Sequence, residues 1–562
     1  MDGANDSPSR RSEIIGGSAI RAYWRELAMQ RPPLCQSALL LYGTDGCHLC
    51  EQAEAFLHAA GVTVECVDIA DHEDLLDLYG TRIPVLRRSD TGQELAWPFD
   101  GVAISHFLAR GKSMTRQTSC TYLLALALGV MASLALTEPA TAAGLQISEQ
   151  SVTGLGRAFA GGGLVNDDVS AAYYNPADLM LDQGNQVQMG MTFIGIGMKT
   201  NNAGSSVRLP GNLNAVLTRT GTVPVFVTTP AVGRADDGGT DSLVPNGFYA
   251  TNLNDRMRFG LSITAPFAVS TNYGRNWVGR YHAVESELLT VDINPSLAYR
   301  INEHFSVGAG VSAQYAKARL TQALFNPLSA FVKDGYAEVE ADGWGFGYNL
   351  GALYELDPNT RFSLSYRSRI KHSVEGERTI SDYIASRNGV LPGKADVTLP
   401  DWVGLAAYRR LDERWAVMSS IRWTNWSLFD KLQTDFSDGT SSVTPENWQD
   451  SWAFSIGASY DYSPEWTFRA GYVYEQTPVP SAQYRTPRIP DNDRNAFALG
   501  FSYHPDRWLS VDFGYMYIAF KKAHTENTID LIPTSPGLIT DTLRLDYDGT
   551  GHLIGLQASY RF

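Results

Sequence analysis

The chain has 562 residues, 45 Lys and Arg against 60 Asp and Glu, and a formal net charge of -15. That acidic balance excludes nucleic acid as a partner, because phosphate binding requires a basic face. The length allows several domains. All five cysteines fall within the first 120 residues, and residues 143–562 contain none.

Residues 1–35 carry no periodic apolar pattern and are expected to be an extension, disordered or with one short helix. From Ala38 the chain reads ALLLYGTDGCHLCEQAEAFLHAAGVTVECVDIADHEDLLDLYGTRIPVLRR. An apolar run ends in a Gly-rich turn, a C-x-x-C follows, then a stretch of helical period and a second apolar run, Val62 to Ile69. This order predicts strand, turn, helix, strand. Cys47 then falls at a helix N-terminus, where the dipole and free N–H groups favour a thiolate, and Cys50 lies one turn later. Half of a zinc site is the alternative, but no second Cys or His pair follows at zinc spacing. Cys35 and Cys66 have no motif context and are expected to be ordinary thiols.

The segment resembles small glutaredoxin-like proteins of the thioredoxin superfamily through YGTDGCHLC, RIPVL (Arg82 to Leu86) and ELAWPFD (Glu94 to Asp100). The resemblance implies a thioredoxin-fold domain over residues 36–112 with a cis Ile83–Pro84 bond beside the dithiol. It also implies catalytic roles for Cys47 as nucleophile, Cys50 as resolving thiol and Pro84. No bound cofactor is expected, only a glutathione or thioredoxin-type reductant.

Residues 113–142 read as an internal signal peptide. Met114 and Arg116 lead into an apolar run from Tyr122 to Leu136, and Pro139 precedes the small-x-small pattern Ala140-Thr141-Ala142, which predicts cleavage after Ala142. A core helix or an uncut anchor is the alternative. The absence of cysteine beyond this point suits an exported chain. Two halves with different destinations suggest a cytoplasmic dithiol protein and a transporter initiated at Met114, joined by a reading-frame error. A genuine fusion processed at Ala142 is the second choice.

Residues 143–182 are rich in Gly and small residues, with a turn signal at Asn175-Pro176 and short helix-compatible pieces. Beyond them the period becomes two. Leu289, Val291, Ile293, Pro295, Leu297, Tyr299 and Ile301 alternate with Thr290, Asp292, Asn294, Ser296 and Arg300. The same period recurs from Trp344 to Leu356 and from Trp452 to Tyr462. Strands of about ten residues, Trp and Tyr at their ends and an export signal favour a transmembrane barrel over a soluble sandwich. Its sheet must close, since hydrocarbon leaves no partner for an unpaired edge. The chain ends in an alternating strand with Tyr560 and Phe562, the aromatic terminus that barrel-assembly machinery typically recognises. No metal site is expected; Asp491-Asn492-Asp493 is more simply a solvated acidic loop.

GLGRAFAG (Gly154 to Gly161), NPA (Asn175 to Ala177), WGFGYNLGALYELD (Trp344 to Asp357), RFSLSYRS (Arg361 to Ser368) and TPVPSAQYRTPRIPDNDR (Thr477 to Arg494) resemble the FadL-type outer-membrane transporters. The resemblance implies a mainly β fold, a fourteen-stranded barrel over 183–562 plugged by an N-terminal hatch over 143–182. It implies a Gram-negative outer-membrane location, with long-chain fatty acids, hydrocarbons or other hydrophobic compounds as ligands. Outer-membrane lipid, assembly machinery and periplasmic chaperones would be its partners. Asn175, Pro176 and Ala177 would belong to the part of the hatch that shifts. Pro266, Phe267 and Ala268 would form a kink opening a lateral gap, because Pro266 cannot donate a ladder hydrogen bond. The family often carries Gly in that kink, so Ala268 is a departure. Gln322 and Thr444 stand where fatty-acid transporters carry an Arg and a Lys, which leaves a fatty acid held otherwise, or a neutral ligand.

Overall fold

The computed structural model describes residues 39–99 apart from 60–61, 72 and 89–92, the two positions Ile104 and Phe107, and 145–562 apart from 183, 212–224, 328–332 and 385–386. The expected extension, the signal segment with Ala140 and Ala142, and Cys35 lie outside the described residues. The chain divides into two compact units, with the boundary between Ser119 and Cys120.

The first unit contains a four-stranded sheet. Leu39–Gly43 pairs parallel with Glu65–Asp68 and antiparallel with Val85–Arg88, which pairs in turn with Glu94–Ala96. Helix His48–Ala59 presents Ala53 and Leu57 to this sheet, where they are buried with Leu41, Leu86 and Phe99. Period-3.6 apolar positions thus meet the period-2 face of the central strands.

The second unit is a closed barrel of fourteen crossings preceded by a hatch. The first crossing, Gln186–Asn202, pairs along its length with the last strand, Thr540–Arg561, from Gln186 opposite Arg561 to Asn202 opposite Leu545. Pairing of the first and last strands closes the sheet, as a hydrocarbon surrounding demands. Short turns such as Asp255-Arg256 and Pro358-Asn359 mark the periplasmic end, and the long connections mark the outer face.

Side-chain placement inverts that of a soluble protein. In the fourth crossing, Glu285–Arg300, Thr290, Asp292, Asn294 and Ser296 are buried while Leu297 and Tyr299 are exposed. Trp344, Phe346, Tyr348 and Leu350 are likewise exposed in the sixth crossing, Gly335–Asp357. Apolar side chains face outward as a lipid band requires, and polar ones line the lumen. The strands differ from the expected ten residues: the fifth, Phe305–Leu324, has 20 and the sixth has 23. About ten residues suffice to cross the hydrocarbon, and the surplus continues the hairpins beyond it.

The hatch, described from Leu145 to Asp182, fills the lumen with short helical turns. Ser151 caps helix Val152–Leu155, its Oγ accepting the Gly154 amide at 3.0 Å. Asp168 is a buried hub: its carboxylate accepts from Ser151, Thr153 and Ser170 hydroxyls, each at 2.5 Å, and from Gln557 of the last strand at 3.3 Å. Main chains also meet directly, since a Cβ on Gly156 would lie 2.9 Å from Cα of Gly500 on the wall. Only glycine permits that approach.

Candidate functional site

The third crossing is interrupted. It runs as Met257–Thr264, stops, and resumes as Ala268–Asn272. Its first piece pairs with the second crossing, Asp241–Asn254, from Gly247 opposite Ile263 onward. Among the described residues no ladder joins the second piece to that neighbour, so the wall has a seam there. Pro266 has no amide hydrogen to offer and sits inside the interruption.

The peptide groups that lose their ladder find other partners. On one side Thr290 takes Phe267: its Oγ accepts the Phe267 amide at 2.9 Å and donates to the Phe267 carbonyl at 2.8 Å. On the lumen side the start of the hatch lies against the break as a short antiparallel strand, with Gln146 opposite Phe267. The Ile147 amide donates to the Pro266 carbonyl at 2.9 Å, and the Ala268 amide to the Leu145 carbonyl at 2.9 Å. Gln150 completes the set, donating to the Ala265 carbonyl at 2.8 Å and accepting its amide at 3.2 Å. Buried backbone groups must be paired, and here the plug pairs them.

Above this closure lies a buried apolar cluster. Leu145 and Phe267 meet Trp426, Phe429, Trp448 and Ile489, which arrive from three outer connections. The rings pack edge-on, Trp426 to Trp448 at 4.9 Å and Phe429 to Trp448 at 4.8 Å. At its margin Arg488 is buried, donating to Gln322 Oε1 at 2.8 Å and Ser286 Oγ at 3.1 Å. Trp448 Nε1 donates to the buried Glu446 carboxylate at 3.1 Å. A small cavity lies between the hatch residues Tyr173, Tyr174 and Asn175 and the wall residues Trp402, Ile421 and Val473.

The residues singled out from sequence fall in three places. Pro266, Phe267 and Ala268 are at the break. Asn175, Pro176 and Ala177 lie against the fifth and sixth crossings, a few strands along the wall from the break: Asn175 Oδ1 accepts the Ala177 amide at 3.1 Å, and its Nδ2 donates to the Ala352 carbonyl at 3.2 Å. Tyr560 and Phe562 end the last strand, where the Phe562 amide donates to the Asn185 carbonyl at 2.9 Å. Gln322 holds Arg488, whereas Thr444 stands opposite Leu432 in an outer hairpin. Asp493 is engaged by Lys521 at 2.9 Å and by the Tyr474 hydroxyl at 2.9 Å, and no metal-holding cluster occurs among the described residues. Arg488 falls within the stretch Thr477 to Arg494 but nothing there marks it as buried, and Glu446 has no motif.

In the first unit Cys47 and Cys50 are joined as a disulfide at the start of helix His48–Ala59, and the Ile83–Pro84 and Trp97–Pro98 bonds are cis. Burial, reinforced by Glu54, pushes the Cys66 thiol up to about 12.

A lipid-facing barrel plugged by its own N-terminal segment defines an outer-membrane transport protein of the Gram-negative envelope. The chain belongs to the family described as outer membrane protein transport protein (OMPP1/FadL/TodX), which matches residues 133–562. It is 31% identical over 419 residues to the long-chain fatty acid transport protein of Salmonella typhi, covering 70% of this chain and 91% of that one. It is 28% identical to outer membrane protein P1 of Haemophilus influenzae, covering 75% and 96%. Its fold is that of a solved Pseudomonas aeruginosa FadL homologue, with a TM-score of 0.66 at 24% identity, covering 75% of this chain and all of the other. Residues 38–109 match the glutaredoxin-like domain.

Proposed function

We propose that the barrel takes up long-chain fatty acids or related hydrophobic compounds through the outer membrane and releases them sideways at the break in the third crossing. The relative from Salmonella typhi bears the name of such a transporter. A hydrophobic solute gains little from a continuous aqueous pore, so an apolar interior followed by a lateral exit suits it. Ligand enters among the outer loops and inserts into the apolar cluster of Trp426, Phe429 and Trp448 as it opens. Withdrawal of Leu145–Gln150 then bares the break, and the shift extends through the hatch to Asn175-Pro176-Ala177. The observation that carries this reading is the pairing of hatch main chain to Ala265–Ala268, which makes plug and gate one hydrogen-bonded unit.

The test is accumulation of a radiolabelled long-chain fatty acid by bacteria lacking their own transporter. Cells bearing this chain should accumulate label well above cells without it; equal accumulation would refute the reading.

The Cys47–Cys50 pair supports a second, separate activity as a dithiol oxidoreductase. In the reduced form the Cys47 thiolate attacks a substrate disulfide, releasing one thiol and forming a mixed disulfide. Cys50 then displaces the second thiol and closes the Cys47–Cys50 bond. A glutathione or thioredoxin-type reductant returns the two electrons. Reduction of a low-molecular-weight disulfide, abolished by Cys47→Ser, tests it. For the barrel, assembly machinery and periplasmic chaperones recognising the Tyr560 to Phe562 end are part of the same proposal.

A further inference from the structure

The plug touches the wall on many sides, but one contact lies on the line along which the barrel closes. Asp168 stands over the seam between the first crossing, Gln186–Asn202, and the last strand, Thr540–Arg561. Its carboxylate takes one amide from each, Gln188 Nε2 at 3.5 Å and Gln557 Nε2 at 3.3 Å. The glutamines answer with their carbonyl oxygens: Gln188 Oε1 accepts the Val169 amide at 2.9 Å, and Gln557 Oε1 the Val152 amide at 3.0 Å. Each buried glutamine thus spends both ends of its side chain on the plug. Gln188 is directly opposite Ser559, with Gln557 two residues away on the same inward face. Asp182 repeats the grip at the end of the plug, meeting Arg561 of the last strand at 3.0 Å.

The two halves of this clasp differ in how they form. Gln188 lies 20 positions from Asp168, and Gln557 lies 389. Loop closure costs less for the first, so the near half assembles once plug and first crossing have met. Until the last strand arrives, the first crossing keeps an open edge that hydrocarbon cannot satisfy. At that stage the Ser151, Thr153 and Ser170 hydroxyls already hold the Asp168 carboxylate in place. Asp168 and the Val152 amide then present an acceptor and a donor where the last strand must lie. They also read its register. A slip of one residue turns Gln557 toward lipid, and a slip of two brings up Gly555, which has no side chain, or Ser559, whose side chain is shorter.

We infer that the plug has a second function, as the template on which the barrel closes: Asp168, seated on the first crossing, captures Gln557 and sets the register in which the last strand pairs with the first. This function is independent of what the barrel transports.

The test follows closure in cells. Residues 143–562 contain no cysteine, and Met189 and Ala558 are paired across the seam. In the full chain carrying Met189→Cys with Ala558→Cys, the rate of cross-linking after a pulse of labelled synthesis measures closure. Gln557→Glu sets a second carboxylate against Asp168 and is expected to slow the cross-link about 10-fold, the scale of one charge-assisted contact. Adding Asp168→Asn gives that carboxylate an amide and restores most of the rate. Arg300→Gln removes a plug contact of the fourth crossing, from the Arg300 guanidinium to the Met180 carbonyl, and leaves the rate unchanged. A rate unaltered by Gln557→Glu, a slowing that Asp168→Asn fails to repair, or an equal slowing in Arg300→Gln overturns the inference.

Discussion

The Ala268 amide, on the outer side of the break in the wall, donates to the carbonyl of Leu145, at the start of the plug, at 2.9 Å. A barrel strand is thus completed by a residue that precedes it by more than a hundred positions. The reciprocal bond from Ile147 to Pro266 makes the closure two-sided. Any movement of the first hatch residues must therefore strip hydrogen bonds from the break in the wall.

Gln150→Leu should weaken that closure without touching the gate residues. Its amide satisfies both main-chain groups of Ala265, and their loss leaves a buried donor and acceptor unpaired, a cost of about 1–3 kcal/mol each. Hydrogen exchange at Ala265 and Ala268 should accelerate in the variant while the ladders of the other crossings keep their protection. Unchanged exchange at these two amides would show that the plug does not hold the gate.

Asn175→Ala and Gly351→Ala should loosen the hatch from opposite sides of one contact. The first removes the cap of turn Pro176–Leu181, worth about 1 kcal/mol, and the bond to Ala352. The second drives a methyl into Asn175 Oδ1, which must then move. Both variants should run as heat-resistant barrels yet show faster proteolysis within residues 145–182. Equal proteolytic resistance in both would remove Asn175 from any role in seating the plug.

Among the thiols of the first unit, Cys66 should resist alkylation near neutral pH, since burial and Glu54 keep it protonated up to about 12. After reduction, iodoacetamide should label Cys47 and Cys50 first, read by peptide mass. Preferential labelling of Cys66 would place the reactive thiol elsewhere.

The barrel was legible because its signal is local. Alternation at period two survives in any short window, and the small residues around Gly154 and Asn175 mark a segment that cannot be a strand. The sense of the alternation was not local: Trp344 and Phe346 point outward only because the surroundings are lipid. Strand lengths were underestimated because the pattern continues past the hydrocarbon, where lipid no longer sets its limit. Pro266 announced a fault in the third crossing, but its repair by Gln150 spans 115 positions and leaves no periodic trace. Arg488 stands in the stretch Thr477 to Arg494, but its burial was illegible for the same reason, its partners Gln322 and Ser286 lying 166 and 202 positions away.

The central claim is that the plug must leave the gate for transport. Gln146 and Phe267 are directly opposed across that contact, and residues 143–562 contain no cysteine. The most direct measurement is uptake of labelled fatty acid by cells carrying Gln146→Cys with Phe267→Cys, compared in the oxidised and reduced states. The account predicts uptake at background when the pair is cross-linked and its return on reduction. Uptake that continues undiminished through a verified cross-link would contradict it.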